Sequence, residues 1–143
     1  PEKHPEAKDT TSDLVHLKTK VDAGADFITT QLFFDNQVYF DFVGSCRQHG
    51  IVIPVLPGLL PVLSLGQVRR FCSMCEASLP LSLCLQLEEA EEIDQPLVGS
   101  NWATKQIYGL VEGGAPGYHI YALNNPQSTL KILNSLGIEK AVF

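Results

Sequence analysis

An eight-residue run, Phe-Ile-Thr-Thr-Gln-Leu-Phe-Phe at positions 27–34, constrains the fold more than any other stretch of the chain. It is β-branched and aromatic, yet it lacks the apolar–polar alternation of a strand with one wet face. Such a run suits a strand buried on both faces, as in a parallel sheet covered by helices. A second apolar run at 51–56 and a third at 118–123 (Tyr-His-Ile-Tyr-Ala-Leu) read the same way. Pro54 lies inside the second and cannot donate to a ladder, so it is placed near the strand's start.

Helical spacing fills the intervals. Residues 11–23 carry Leu14, Leu17 and Val21 on one face, with Thr11 or Ser12 as cap, Asp13 in the first turn and Gly24 as stop. Asp35 or Asn36 caps a second helix bearing Val38, Tyr39, Phe42, Val43 and Cys46, which Gly50 closes. Ser64 caps a third, with Val68, Phe71 and Cys72. Further helical signal covers 81–87. A long helix from about Leu97 points Trp102, Ala103, Ile107, Leu110 and Val111 inward and stops at Gly113-Gly114. After the third strand, Asn124-Asn125-Pro126 turns into a helix with Leu130, Leu133 and Leu136. The order is α-β-α-β-α-α-α-β-α, and helical crossovers make the strands parallel.

The chain enters a helix where a βα unit would first supply a strand. Three strands with their helices amount to about half of a (β/α)₈ TIM barrel, whose usual length is about 250 residues. The expectation is therefore a single partial domain over 1–143, about strands 5–8 of the full barrel, either cut from a longer chain or read from an incomplete coding sequence. The opening Pro1-Glu2-Lys3-His4 and the single Met, Met74, agree with that. A doubly wound sheet competes, but no Gly-x-Gly-x-x-Gly follows a strand.

Composition narrows the function classes. With 45% apolar and 18% charged residues the chain is that of a globular protein, and a net charge of −6 with its 10 basic residues scattered singly argues against nucleic acid. The longest apolar stretch, 51–63, is broken by Pro54, Pro57, Gly58 and Pro61, so no membrane span is expected. Cys72-x-x-Cys75 is half of a zinc site without its second half. Cys46, Cys72, Cys75 and Cys84 therefore read as small buried thiols in a reducing, cytoplasmic compartment, with no metal. The acidic stretch 88–92 reads as a solvated face.

Polar residues gather where a parallel α/β fold keeps its reactive surface, at strand C-termini. They are Thr30, Gln31 and Asp35 around the first strand, Ser64 and Gln67 after the second, and His119, Tyr121, Asn124 and Asn125 around the third. The leading loop adds His4, Glu6, Lys8 and Asp9. A carboxamide in a strand as apolar as that around Gln31 must be hydrogen-bonded, either within the protein or to a heterocycle, for which it offers donor and acceptor together. His119 and Tyr121 share a face, as packing residues or as ligand contacts. Asp13, His16 and Lys20 line one helical face, which is either an anion site or a solvated surface.

Three blocks carry a resemblance. The first is His4-Pro-Glu-Ala7 with Asp13-Leu-x-His-Leu-Lys-x-Lys20 and the following Val21-Asp-Ala-Gly-Ala-Asp-Phe-Ile-Thr-Thr-Gln-Leu-Phe-Phe-Asp35. The others are Pro57-Gly-Leu-Leu-Pro61 and His119-Ile-Tyr-Ala-Leu-Asn124. Together and in this order they resemble the methylenetetrahydrofolate reductases over the whole chain. The resemblance implies a TIM barrel that holds FAD at its strand ends. NADH or NADPH reduces the flavin, which then reduces 5,10-methylenetetrahydrofolate to 5-methyltetrahydrofolate in one-carbon and methionine metabolism, in a homo-oligomeric full-length protein. It implies that His4, Ala7, Asp13, His16, Lys20 and Tyr121 bind FAD, and that Gln31, Gln67 and Phe71 bind folate, Phe71 also stacking on nicotinamide. The family's catalytic Glu and its flavin-side Asp would belong to strands upstream of Pro1, leaving none of the catalytic acids here. Two positions depart from the family pattern: Asn125 replaces the Arg that ends the last strand, and Thr19 stands where some members carry Arg. The alternative is an inactive piece, or a binding module that pairs with another half-barrel through its open strand edges.

Overall fold

A computed structural model describes Glu2 and residues 9–138. Among these residues the order is α1 (Thr10–Asp22), β1 (Ile28–Leu32), α2 (Asn36–Gln48), β2 (Val55–Leu59), α3 (Leu65–Cys75), α4 (Leu81–Glu89), α5 (Gln95–Glu112), β3 (His119–Ile120) and α6 (Pro126–Ser135). The three strands form one parallel sheet in the order β1-β2-β3, so the α/β class and the element order expected from the sequence are both observed. A three-stranded sheet does not itself close a barrel.

Helix starts follow side-chain chemistry. Asp35 accepts from the Gln37 amide at 2.9 Å, and Ser64 from the Gln67 amide at 3.1 Å. For α1 the cap is Asp9, not Thr11 or Ser12: its carboxylate accepts from the Ser12 amide at 2.8 Å. All three side chains are competent caps, and the helix begins at Thr10, one residue before the start read from the sequence. The stop at Gly24 is as expected, with φ +113°.

Two clusters pack against the sheet. Phe33, Tyr39, Val55, Leu59, Ile107 and Leu110 join the strands to α2 and α5, and the buried Tyr39 hydroxyl donates to the Val55 carbonyl at 2.8 Å. Leu32, Phe34, Leu60, Val68, Leu83 and Leu87 join the strand ends to α3 and α4, with Phe71, Trp102 and Tyr121 packed against them. Each such large side chain contributes about 1.5–3 kcal/mol on full burial. A third, smaller cluster (Leu14, Cys46 and Ile51) seats α1 on α2, with Leu17 and Val21 packed against it.

Several local expectations change. β1 is not buried on both faces: Thr29 and Gln31 are exposed, and Phe27 is 57% exposed. β2 starts after Pro54 and runs through Pro57-Gly58, which the sequence marks as its end. β3 shrinks to two residues, and beyond it Leu123 and Asn124 adopt positive φ, at 47° and 60°. Val111 faces outward. On α6 the buried residues are Ser128 and Ile132, while Leu130, Leu133 and Leu136 are half-buried.

The β1–β2 register carries one irregularity. Thr29 pairs with Leu56 and Leu32 with Gly58, so Thr30 and Gln31 together oppose the single Pro57. This is a β-bulge in β1. Proline has no N–H to offer the neighbouring strand, which makes Pro57 a natural place for the ladder to lapse.

Candidate functional site

The lapsed ladder is repaired by hydroxyl groups. The Thr30 hydroxyl accepts from the Gly58 amide at 2.9 Å and donates to the Gln31 carbonyl at 2.9 Å. The Thr30 carbonyl in turn accepts from the Tyr121 hydroxyl at 2.9 Å. To reach it, Tyr121 passes from β3 across the middle strand at Gly58. A Cβ at that glycine would lie 2.3 Å from the Thr30 carbonyl oxygen and 2.7 Å from the Tyr121 ring. Glycine is required here for close approach, not for a turn.

Gln31 therefore stands beside a fixed residue. Its Oε1 accepts from the Leu32 amide at 3.0 Å, a protein-internal partner and one of the two alternatives read from the sequence. Its Nε2 has no partner among the described residues, and the side chain is exposed. Gln67, in the first turn of α3, turns Oε1 back to the Leu63 amide at 2.8 Å while Ser64 caps its own amide, a reciprocal arrangement close to a capping box. Phe71 lies one turn further along the same face of α3 and packs, like Tyr121, against the cluster of Leu32, Phe34 and Leu60.

These contacts form two pairs: the Gln31 backbone is linked to Tyr121 through Thr30, and α3 carries Gln67 and Phe71 one turn apart. Both pairs belong to the region where β1, β2 and β3 finish. His119 lies edge-on to Tyr121, with ring centroids 4.7 Å apart at 77°. Burial pushes the Tyr121 phenol above its ordinary value, with the nearby Cys75 adding to the effect, so it is a neutral donor near pH 7.

Asp13, His16 and Lys20 are grouped separately, on α1, whose packing residues Leu14, Leu17 and Val21 meet Cys46 and Ile51. His16 and Lys20 are exposed and Asp13 half-buried. His4 and Ala7 lie outside the described residues. Asn125 sits in the turn before α6, its amide donating to the Ala122 carbonyl at 2.8 Å. Among the described residues no group of three or more His, Cys, Asp or Glu side chains could hold a metal, and no helix is long and apolar enough to cross a membrane. Of the four thiols, Cys46 and Cys72 are buried and Cys75 and Cys84 half-buried.

A cavity of about 370 Å³ opens beside the β1–α2 turn, lined by Phe34, Asp35, Asn36, Trp102, Lys105 and Gln106 among others. Most of its polar groups are already committed. Asp35 caps α2, Trp102 Nε1 donates to the Phe34 carbonyl at 3.2 Å, and Gln106 Nε2 donates to the Phe33 carbonyl at 3.3 Å. Of the polar residues expected at the strand ends it takes in Asp35, and among the described residues none of those expected to bind FAD or folate lines it. The site residues that sequence reasoning missed are Gly58 and Pro57: a Pro-Gly pair signals a turn, and only the strand pairing reveals a bulge partner and a crossing point.

Comparison with known proteins bears on this arrangement. The family model described as methylenetetrahydrofolate reductase matches residues 1–137. A 5,10-methylenetetrahydrofolate reductase of Salmonella typhimurium is 37% identical over 140 residues, which are 96% of this chain and 47% of that protein. Methylenetetrahydrofolate reductase (NADH) 1 of Arabidopsis thaliana is 38% identical over 129 residues, 89% of this chain and 22% of that protein. A probable methylenetetrahydrofolate reductase (NADPH) of Caenorhabditis elegans is 34% identical over 140 residues, 96% of this chain and 21% of that protein. The chain thus spans about half the length of the bacterial relative and about a fifth of the other two. With a family model covering nearly its whole length, the chain belongs to the methylenetetrahydrofolate reductase family.

Proposed function

We propose that the protein containing this chain reduces 5,10-methylenetetrahydrofolate to 5-methyltetrahydrofolate, using FAD and taking hydride from NADH or NADPH. On this reading the chain forms part of a (β/α)₈ barrel, about its strands 5–8. The observation that carries the reading is that Thr30 ties the Gln31 backbone and the Tyr121 phenol together at the finishing end of a parallel sheet. That end is where α/β barrels work. The relatives' printed names, two of which specify NADH and NADPH respectively, support the nicotinamide donor in general and leave its identity open for this chain.

The residues present suit a flavin dinucleotide. His16 and Lys20 are exposed on one face of α1 and can meet an anionic diphosphate, and Asp13 on the same face can accept from a ribose hydroxyl. Tyr121 supplies an aromatic wall at the sheet end. When bound, FAD supplies reversible hydride transfer. Within this chain the work is alignment: Gln31, with its amide nitrogen unengaged among the described residues, and Gln67 orient the folate, and Phe71 offers a ring on which folate or nicotinamide stacks in turn. The proton-donating Glu belongs, on this reading, to strands outside the chain.

The deciding assay is anaerobic reduction and reoxidation of the full-length protein's flavin. NADH or NADPH should bleach it and methylenetetrahydrofolate should restore the colour. Failure with every folate tested would overturn the proposal. A second reading, association without catalysis, draws on the exposed Phe27 and on the unpaired outer edges of β1 and β3 among the described residues. Purified alone, the 143-residue chain is expected to be colourless with added FAD; tight yellow binding by it would overturn that expectation.

A further inference from the structure

The bulge at Thr30-Gln31 directs Gln31 in a way that a regular strand would not. Across from it Pro57 offers no N–H, and the Gly58 amide donates to a side-chain hydroxyl of β1. The β1 carbonyls on either side of the bulged peptide are also met by hydroxyls: Thr30's by Tyr121, and Gln31's by Thr30 itself. A bulged peptide held only by solvent would sample several orientations. Here one buried hydroxyl, on a residue 4% exposed, makes both of its bonds to the backbone flanking the bulge. β-Branching at Thr30 also restricts the rotamer that makes them.

We infer that Thr30 is a positioning residue, whose hydroxyl, bridging the Gly58 amide and the Gln31 carbonyl, fixes the bulge that aims the Gln31 carboxamide at the folate. The inference rests on the proposed reading that Gln31 meets the folate. Thr30 itself touches no substrate on this account. Its larger effect falls on the folate-dependent step, because its hydroxyl orients Gln31, whereas the bond to Tyr121 is made by the Thr30 backbone carbonyl, which Thr30→Val retains.

The test uses full-length protein and the two half-reactions. Thr30→Val keeps the shape and removes the hydroxyl. It is expected to raise the KM for methylenetetrahydrofolate about tenfold, the scale of a small misplacement of an aligning group. Reduction of the flavin by NAD(P)H should change by less than about twofold, and Thr30→Ser, which keeps the hydroxyl, should restore folate use to within about threefold. A merely structural role would depress both half-reactions and flavin content together. That outcome, or an unchanged folate KM in Thr30→Val, overturns the inference. If Thr30→Val does not fold, Thr30→Cys, with its weak donor and acceptor, is scored by the same criteria. Gln31→Ala separates the two levels of argument. An unchanged folate KM in that variant overturns the reading of the site, whereas a raised one beside a normal Thr30→Val overturns only the role given to Thr30.

Discussion

The Tyr121 hydroxyl and the Thr30 carbonyl, 91 positions apart in sequence, are joined by a 2.9 Å hydrogen bond that spans the middle strand of the sheet. Parallel strands normally contact only their immediate neighbours through the backbone. This phenol links the two outer strands directly, at a bulge where β1 has lost its ladder partner. Tyr121→Phe keeps the ring against Leu32 and Leu60 and leaves the Thr30 carbonyl without its donor. A lost hydrogen bond to a largely buried acceptor costs about 1–2 kcal/mol. Urea denaturation of the full-length protein should show a lower midpoint with an unchanged slope. An unchanged midpoint would mean that water replaces the phenol at no cost.

Glycine substitutions should separate close approach from conformational freedom. At Gly58 a Cβ would collide with the Thr30 carbonyl at 2.3 Å and the Tyr121 ring at 2.7 Å. The carbonyl is backbone and cannot swing away, so Gly58→Ala is expected to destabilise by about 3 kcal/mol or more. Gly44, inside α2, has nothing within 4 Å of the same position. Gly44→Ala should stabilise by about 0.5–1 kcal/mol through helix propensity. Thermal melts of the two variants should move in opposite directions, and a destabilised Gly44→Ala would contradict the open space described there.

These two glycines also show what was legible beforehand. The order of all nine elements could be read, because hydrophobic spacing switches between strand-like runs and helical stripes at each junction. Caps at Asp35 and Ser64 could be read too, since each stands immediately before its helix. What escaped depends on pairing. Pro57-Gly58 looks like punctuation until β1 is seen to bulge opposite the proline, and β3 looks six residues long until Leu123 and Asn124 turn left-handed. At the site, Gln31, Tyr121, Gln67 and Phe71 stood out by chemistry and family resemblance. Thr30 was only one more polar residue at a strand end, because its role depends on a contact 28 positions away, to the Gly58 amide, as well as on its neighbour Gln31.

If α1 carries the flavin's diphosphate, Lys20 contributes mainly charge. Lys20 is exposed and makes no ion pair among the described residues, so Lys20→Glu should leave folding intact and replace attraction by repulsion. The expected result is faster loss of FAD on dilution, by about fivefold to tenfold, with the difference from wild type shrinking as salt is raised. Lys18, whose ammonium pairs with Asp22 one turn along the same helix, is the control. Equal flavin loss from Lys18→Glu and Lys20→Glu would point to general charge, not to a site.

Alkaline pH should expose the cost of burying Cys72. Its thiol, on the inner face of α3, is pushed up from 9.0 to about 11, first by burial and then by the negative charges that Glu2 and Cys75 bring near it. In the unfolded chain the thiol ionises near its ordinary value, so the unfolded state sheds its proton first as pH rises. Stability from this group is therefore complete below about pH 9 and declines toward about pH 11. At about 1.4 kcal/mol per pH unit the decline is at most about 3 kcal/mol. Cys72→Ala should start less stable at pH 7, having lost packing, and should then lose stability less steeply between pH 9 and 11. Tyr39 and Tyr121, also raised by burial, will keep some slope in both proteins. Parallel stability curves for Cys72→Ala and wild type across that window would show that the thiol ionises no later in the folded protein than in the unfolded chain.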